Sequence, residues 1–170
     1  MKIIKAKKYI TLGKSFTVYF GETKLSLQKG DMRVGGMLPS SDDLVNTELS
    51  LQSFPLGVTK TIFTVPSLDT PVCEEQIKRL SVTLHEGQQT NQHLYFVVSV
   101  DTPFAQARFQ KTNDIHPSIV FLSDFASHQF LKNSGLKINE LSTFTRAIIE
   151  CDKDNKILNV DISENITEVP

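Results

Sequence analysis

Cys73 stands in the run V-P-S-L-D-T-P-V-C-E-E-Q-I-K-R-L (Val65 to Leu80) and is one of only two cysteines in 170 residues. Thr70 lies three residues before it, and Pro66 and Pro71 bracket the intervening loop. Asp69 or Thr70 can cap a following helix, with Pro71 suited to its first turn. Cys73 then sits where backbone N–H groups lack intrahelical partners, and their partial positive charge favours a thiolate. Free thiols titrate near ~8.5, and helix starts can lower that value considerably. The Thr70 hydroxyl can donate to the sulfur and accept from a bound substrate. The pattern therefore points to a single nucleophilic thiol. The plainer reading is a small, buried, inert cysteine at a helix start, since free cysteines are commonly buried.

Positioning such a thiol requires a strand before it and a helix after it. Thr59 to Val65 is β-branched and apolar, Leu94 to Val100 more so, and Ser118 to Leu122 forms a third run of this kind. Arg146 to Cys151 and Ile157 to Ile162 are split by Asp152-Lys153-Asp154-Asn155, a turn sequence that predicts a hairpin. Tyr9 to Phe20 reads as an N-terminal hairpin around Gly13-Lys14, and residues 21 to 58 as loop with a short helical turn near Leu49 to Phe54. Helical spacing recurs over Cys73 to Leu84, Phe104 to Phe109 and His128 to Leu136, with Gly135 suited to a C-terminus. The order is a hairpin, three β-α units and a closing hairpin. It predicts one α/β domain over residues 1–170, a mixed central sheet flanked by helices.

The bulk properties are those of a globular protein: 39% hydrophobic and 22% charged residues. A net charge of −1 supplies no field for nucleic acid or an anionic membrane. No apolar run approaches the ~20 residues of a membrane span. Lysines interrupt the apolar residues of the first sixteen positions, so no signal-peptide core is expected there. Two distant cysteines make no disulfide framework, and a reducing, cytoplasmic setting is expected. The four histidines (His85, His93, His116, His128) show no metal-ligand spacing, nucleotide-binding motifs are absent, and Gly35-Gly36 reads as a turn.

V-P-S-L-D-T-P-V-C-E-E-Q resembles the peroxiredoxin signature P-x-x-x-T-x-x-C. Ser99 to Phe109 (S-V-D-T-P-F-A-Q-A-R-F) is similar to a segment of the bacterial thiol peroxidase branch, as are Thr145-Arg146-Ala147 and Glu164 to Pro170. The resemblance runs from the N-terminal hairpin to the last residue and implies a thioredoxin-like fold. It further implies that Cys73 reduces peroxide, that Pro66 shields the sulfur, that Thr70 hydrogen-bonds thiolate and peroxide, and that Arg146 supplies fixed positive charge. No metal or organic cofactor is implied, and a homodimer is. From the residues alone, the favoured reading of Arg146 is a strand-end arginine in a surface ion pair. Gln76, one helical turn after Cys73, can orient Arg146 or lie exposed.

The pattern departs from the branch in several places. Gln110 stands where a resolving cysteine follows A-R-F, so the usual intramolecular disulfide is not available. Cys151 lies five residues beyond Arg146, about 16 Å along a strand, whereas disulfides join Cα atoms within about 7 Å. The implied reductant is an external thiol, either a thioredoxin-like protein or a low-molecular-weight thiol. A non-enzymatic redox sensor or interaction module on the same scaffold is the alternative. Leu38-Pro39-Ser40-Ser41 replaces a Pro-Asp-Phe element, and Pro71 stands in place of a glycine. The sequence ends at Pro170, where relatives continue into a helix, so one sheet face is expected to be open or covered by a partner.

Overall fold

The computed structural model describes residues 2–6, 12–13, 16–87 and 92–169. In chain order the elements are β1 (Ile3–Lys5), β2 (Thr17–Phe20), β3 (Thr23–Ser26), β4 (Val45–Asn46), β5 (Thr59–Thr64), α1 (Pro71–His85) and β6 (His93–Ser99). They continue with α2 (Pro103–Thr112), β7 (Ile119–Ser123), α3 (Gln129–Ser134), β8 (Lys137–Ile138), β9 (Thr143–Phe144), β10 (Ala147–Cys151) and β11 (Ile157–Ser163). The β-branched runs become β5, β6 and β7, which pair in parallel at the centre of a seven-stranded sheet of order β1-β11-β10-β5-β6-β7-β4. β10, β11, β1 and β4 join it antiparallel, which makes the sheet mixed. Side chains alternate across a strand. Ala147, Ile149 and Cys151 accordingly enter the larger core with Phe130 and Leu131 of α3, while Ile148 packs with Phe63, Ile77 and Phe109 on the side of α1 and α2. Helices cover both faces.

α1 begins as its sequence predicts. Thr70 is the N-cap, Pro71 occupies the first turn, and Glu74 lies near the positive end of the dipole. Glu74–Lys78 (2.9 Å) and Glu75–Arg79 link exposed positions one turn apart. Cys73, Gln76, Ile77, Ser81 and Leu84 form its buried face. α2 repeats the device, with Thr102 accepting from Ala105 N at 3.2 Å, but it buries Gln106 and Phe109 and leaves Phe104 68% exposed. Gly135 ends α3 at φ +80, where a Cβ would lie 2.7 Å from Leu12.

An N-terminal hairpin is present, joining β2 to β3 through Gly21-Glu22. The strand expected ahead of Gly13-Lys14 falls on residues 9–11, which with residues 14 and 15 lie outside the described residues, and Phe16 N donates to Gly13 O at 2.8 Å. A Cβ at Gly13 would lie 2.4 Å from Lys29 Cα. One expectation is corrected: no helical turn forms at Leu49 to Phe54. Asn46 Oδ1 takes the N–H groups of Glu48 (2.9 Å) and Ser50 (3.1 Å), Leu49 adopts φ +64, and Leu51 bridges Val45. The asparagine side chain captures donors that a helix would have used.

The margin of the sheet on the α1 side carries the exposed Ile3 of β1 beside polar side chains. Asp161 of β11 shares a face with Ile148 and pairs with Lys5 of β1 at 3.0 Å. Among the described residues no helix is long and apolar enough to cross a membrane.

Candidate active site

Cys73 lies just beyond the C-terminal end of β5, where parallel strands of α/β sheets open the crevices used for chemistry. Pro66, directly after this strand, is buried, and Cys73 itself is fully buried. One carboxylate fastens the loop between them. Asp101, just past β6, accepts from Ser67 Oγ (2.8 Å), Leu68 N (2.8 Å) and Ser99 Oγ (2.7 Å). Ser67 O in turn accepts the Thr70 hydroxyl at 3.0 Å, and Thr70 Oγ1 accepts from Cys73 N at 3.4 Å. Thr70 is thus a helix cap whose proton is engaged by Ser67, so donation to the sulfur requires the hydroxyl to rotate.

Arg146 is 1% exposed, which removes the surface ion-pair reading. The residue precedes β10 and shares the face of Ile148, which directs it toward α1. Its Nη2 reaches Cys73 Sγ at 3.2 Å, and Nη1 donates to Gln76 Oε1 at 2.7 Å. Nε and Nη2 donate to the Ile166 carbonyl at 3.2 and 2.9 Å. Among the described residues, none of these partners is a carboxylate. A guanidinium keeps its proton, and burying it costs solvation. Neutral acceptors satisfy its geometry but leave its charge uncancelled, and one donor is aimed at the sulfur.

Cys151 occupies a contrasting setting. It belongs to the core on the other sheet face, because five residues separate it from Arg146 and an odd offset reverses the side. Both cysteines are free. Burial pushes the Cys151 thiol up to about 12, against the opposing pull of Lys60. Lys60, its antiparallel partner, is fully buried, and its ammonium donates to Asp152 O (3.2 Å) and Asn155 Oδ1.

The structure thus brings Cys73, Arg146 and Gln76 together, with Thr70 and Pro66 in the loop that leads to them. Gln110 lies at the end of α2, half-buried. The Ile166 carbonyl and Asp101 are the participants that residue patterns alone did not single out. Asp101 stands in the S-V-D-T-P-F run, and its position past the neighbouring parallel strand is the signal that marks it. A cleft of about 460 Å³ between this loop and α2 is lined by Asp69, Glu74, Asp101, Arg108 and Phe109, among others. No group of three or more His, Cys, Asp or Glu side chains among the described residues converges as a metal site.

A strand, a proline-bounded loop and a helix that starts at a thiol beside a buried guanidinium define a thioredoxin-like thiol site. The redoxin family model matches residues 33–170. The chain is 33% identical to a thiol peroxidase of Streptococcus agalactiae over 91% of its own length and 87% of that protein's. It is 30% identical to a thiol peroxidase of Clostridium acetobutylicum over 90% and 91% of the two chains. Among solved structures, a peroxiredoxin-like protein from Aquifex aeolicus superimposes with a TM-score of 0.80 at 30% identity, covering 91% of this chain and 90% of the other. The chain belongs to the redoxin family, in its thiol peroxidase branch.

Proposed function

We propose that this protein is a thiol-dependent peroxidase that works through Cys73 alone. The observation that carries the reading is the 3.2 Å contact between Arg146 Nη2 and a sulfur at a helix start. The thiolate attacks one peroxide oxygen; an S–O bond forms as the O–O bond breaks, and the departing oxygen leaves as water or an alcohol after taking a proton. Arg146 favours the thiolate before attack and the charge that develops on the leaving oxygen during it. Thr70 releases its proton from Ser67 to hold sulfur or peroxide, and Pro66 keeps bulk water from the site.

The product is a Cys73 sulfenic acid. Cys151 faces the other core and Gln110 carries no thiol, so an external thiol completes the cycle. The first thiol displaces water to give a mixed disulfide, and a second releases Cys73 and an external disulfide. Because Cys73 is fully buried, that attack requires the loop before α1, or its first turn, to move aside. The reductant is a thioredoxin-like protein or a low-molecular-weight thiol. The same reading takes residues 1–170 as one domain that pairs as a homodimer in a reducing cytoplasm.

Peroxide consumption in the presence of excess dithiothreitol tests the proposal. The wild type and Cys151→Ser consume peroxide over many turnovers, whereas Cys73→Ser does so at least about a thousandfold more slowly. Equal rates for wild type and Cys73→Ser would end it.

A further inference from the structure

Arg146 owes two of its hydrogen bonds to one backbone carbonyl, that of Ile166, and one of them comes from the same Nη2 that touches the sulfur. A carbonyl is only as well placed as the segment that carries it. Residues 164–167 lie beyond the end of β11, and the N-terminal hairpin holds them. Glu164 O accepts from Tyr19 N at 2.7 Å, and Ile166 N donates to Tyr19 O at 2.9 Å. Between them, the Asn165 side chain clasps Gly21 in both directions, accepting from its N–H (3.2 Å) and donating to its carbonyl (3.1 Å). Asn165 Oδ1 also accepts from Thr167 N (3.1 Å) and Thr167 Oγ1 (2.8 Å).

We infer that Asn165 is a positioning residue for Arg146: the β2–β3 hairpin, through the Asn165 clasp and the Ile166 carbonyl, sets the guanidinium against Cys73. The inference rests on the peroxidase reading for its purpose but not for its geometry. Asn165 makes its side-chain hydrogen bonds to Gly21 and Thr167, none of them to Arg146 or Cys73, and so acts only through the backbone it fixes. Lys2, Glu164 and Glu168 are the charged groups beside the clasp among the described residues, and Lys2 pairs with Glu164 at 3.0 Å. If the clasp opens, Ile166 drifts, and Nη2, which holds the Ile166 carbonyl at 2.9 Å, follows it away from the sulfur. The thiolate then loses close contact with its nearest positive charge, and that interaction weakens with distance.

The test is Asn165→Ala in the full chain, with the rate of Cys73 alkylation by iodoacetamide followed against pH and melting temperature measured alongside. The expected result is a folded variant whose alkylation midpoint moves to higher pH by at least about half a unit, roughly a threefold loss of thiolate below the midpoint. Its peroxide rate falls about tenfold, within the range that displacements remote from the chemistry produce. A merely structural role would lower the melting temperature and leave the midpoint in place, and that outcome overturns the inference. Should Asn165→Ala fail to fold, Thr167→Val removes one tie to Asn165 at an exposed position; it shifts the midpoint less but in the same direction, and an unchanged midpoint again overturns it. Alkylation needs no turnover. A wild type that alkylates as a thiolate yet consumes no peroxide would therefore sink the peroxidase reading while leaving this test intact.

Discussion

At one end of β10 Arg146 reaches Cys73; at the other end Cys151 lies opposite Lys60 in antiparallel register. Both thiols are buried and both have a buried cation nearby, yet the two cations are held differently. The guanidinium beside Cys73 is held by a side-chain amide and a peptide carbonyl, neither charged, and it points a donor at the sulfur. The ammonium beside Cys151 is directed instead at the Asp152–Asn155 turn, close to the carboxylates of Asp152 and Asp154. Burial is the largest influence on Lys60 and lowers its pKa, while burial pushes Cys151 up to about 12. Cys73 also sits at a helix start, where unpaired N–H groups gather, whereas Cys151 sits in a strand, whose dipole contributes little. What separates the two cations is where their donors point: one at the sulfur, the other at a turn.

The largest effect expected from breaking this difference is at Arg146. Arg146→Ala removes the charge and leaves Gln76 Oε1 and the Ile166 carbonyl without their donor. The second-order rate with peroxide, followed under single-turnover conditions, is expected to fall about a hundredfold to a thousandfold. Arg146→Lys recovers only part of that loss, because a point charge cannot serve Cys73, Gln76 and Ile166 together.

A pH effect that belongs to the fold rather than to the sulfur sharpens the comparison. Asp124 is fully buried, with Oδ2 accepting from Leu131 N at 2.7 Å and Oδ1 without a hydrogen-bond partner among the described residues. Burial, assisted by the charge of Asp43, pushes its carboxyl up to about 6. A folded pKa above the unfolded value means that its stabilising contribution is full below about pH 4 and is lost as pH rises through about 6. Asp124→Asn keeps an acceptor for Leu131 without the charge. Its stability relative to wild type is expected to rise by about 2–3 kcal/mol between pH 4 and pH 8. Urea denaturation at several pH values reads this directly. A constant difference across the range would show that Asp124 does not titrate there.

The smallest effect is at the cap. Thr70→Val keeps the shape but removes the acceptor for Cys73 N, and thermal unfolding is expected to show a loss of about 1 kcal/mol. A peroxide rate that falls more than tenfold in the same variant would separate a role at the sulfur from the role of cap.

Much of this site was legible in the chain itself. Pro66, Thr70, Pro71 and Cys73 lie within eight residues whose local preferences all favour a loop that runs into a capped helix, and local preference is what a sequence records most directly. Helical spacing places Gln76 one turn after Cys73, but its burial against Arg146 depends on the packing of β10 beneath α1. Arg146 was ambiguous from its own strand, because its burial depends on what packs above it. Ile166 could not have been found as an acceptor from its side chain, since the group that acts is its backbone carbonyl. Asn46 diverts the following residues from a helix through its side chain, a capture that apolar spacing does not register.

The most direct test of the central claim is the intact mass of the reduced protein after stoichiometric hydrogen peroxide, with a sulfenic-acid trap in a parallel sample. A single added oxygen, trapped at Cys73 and absent from Cys151, is the predicted result. Loss of two hydrogens within the monomer would mean that the two thiols meet despite facing different cores. No change over minutes would mean that Arg146 holds a sulfur that does not react with peroxide. Either of these last two results contradicts the account.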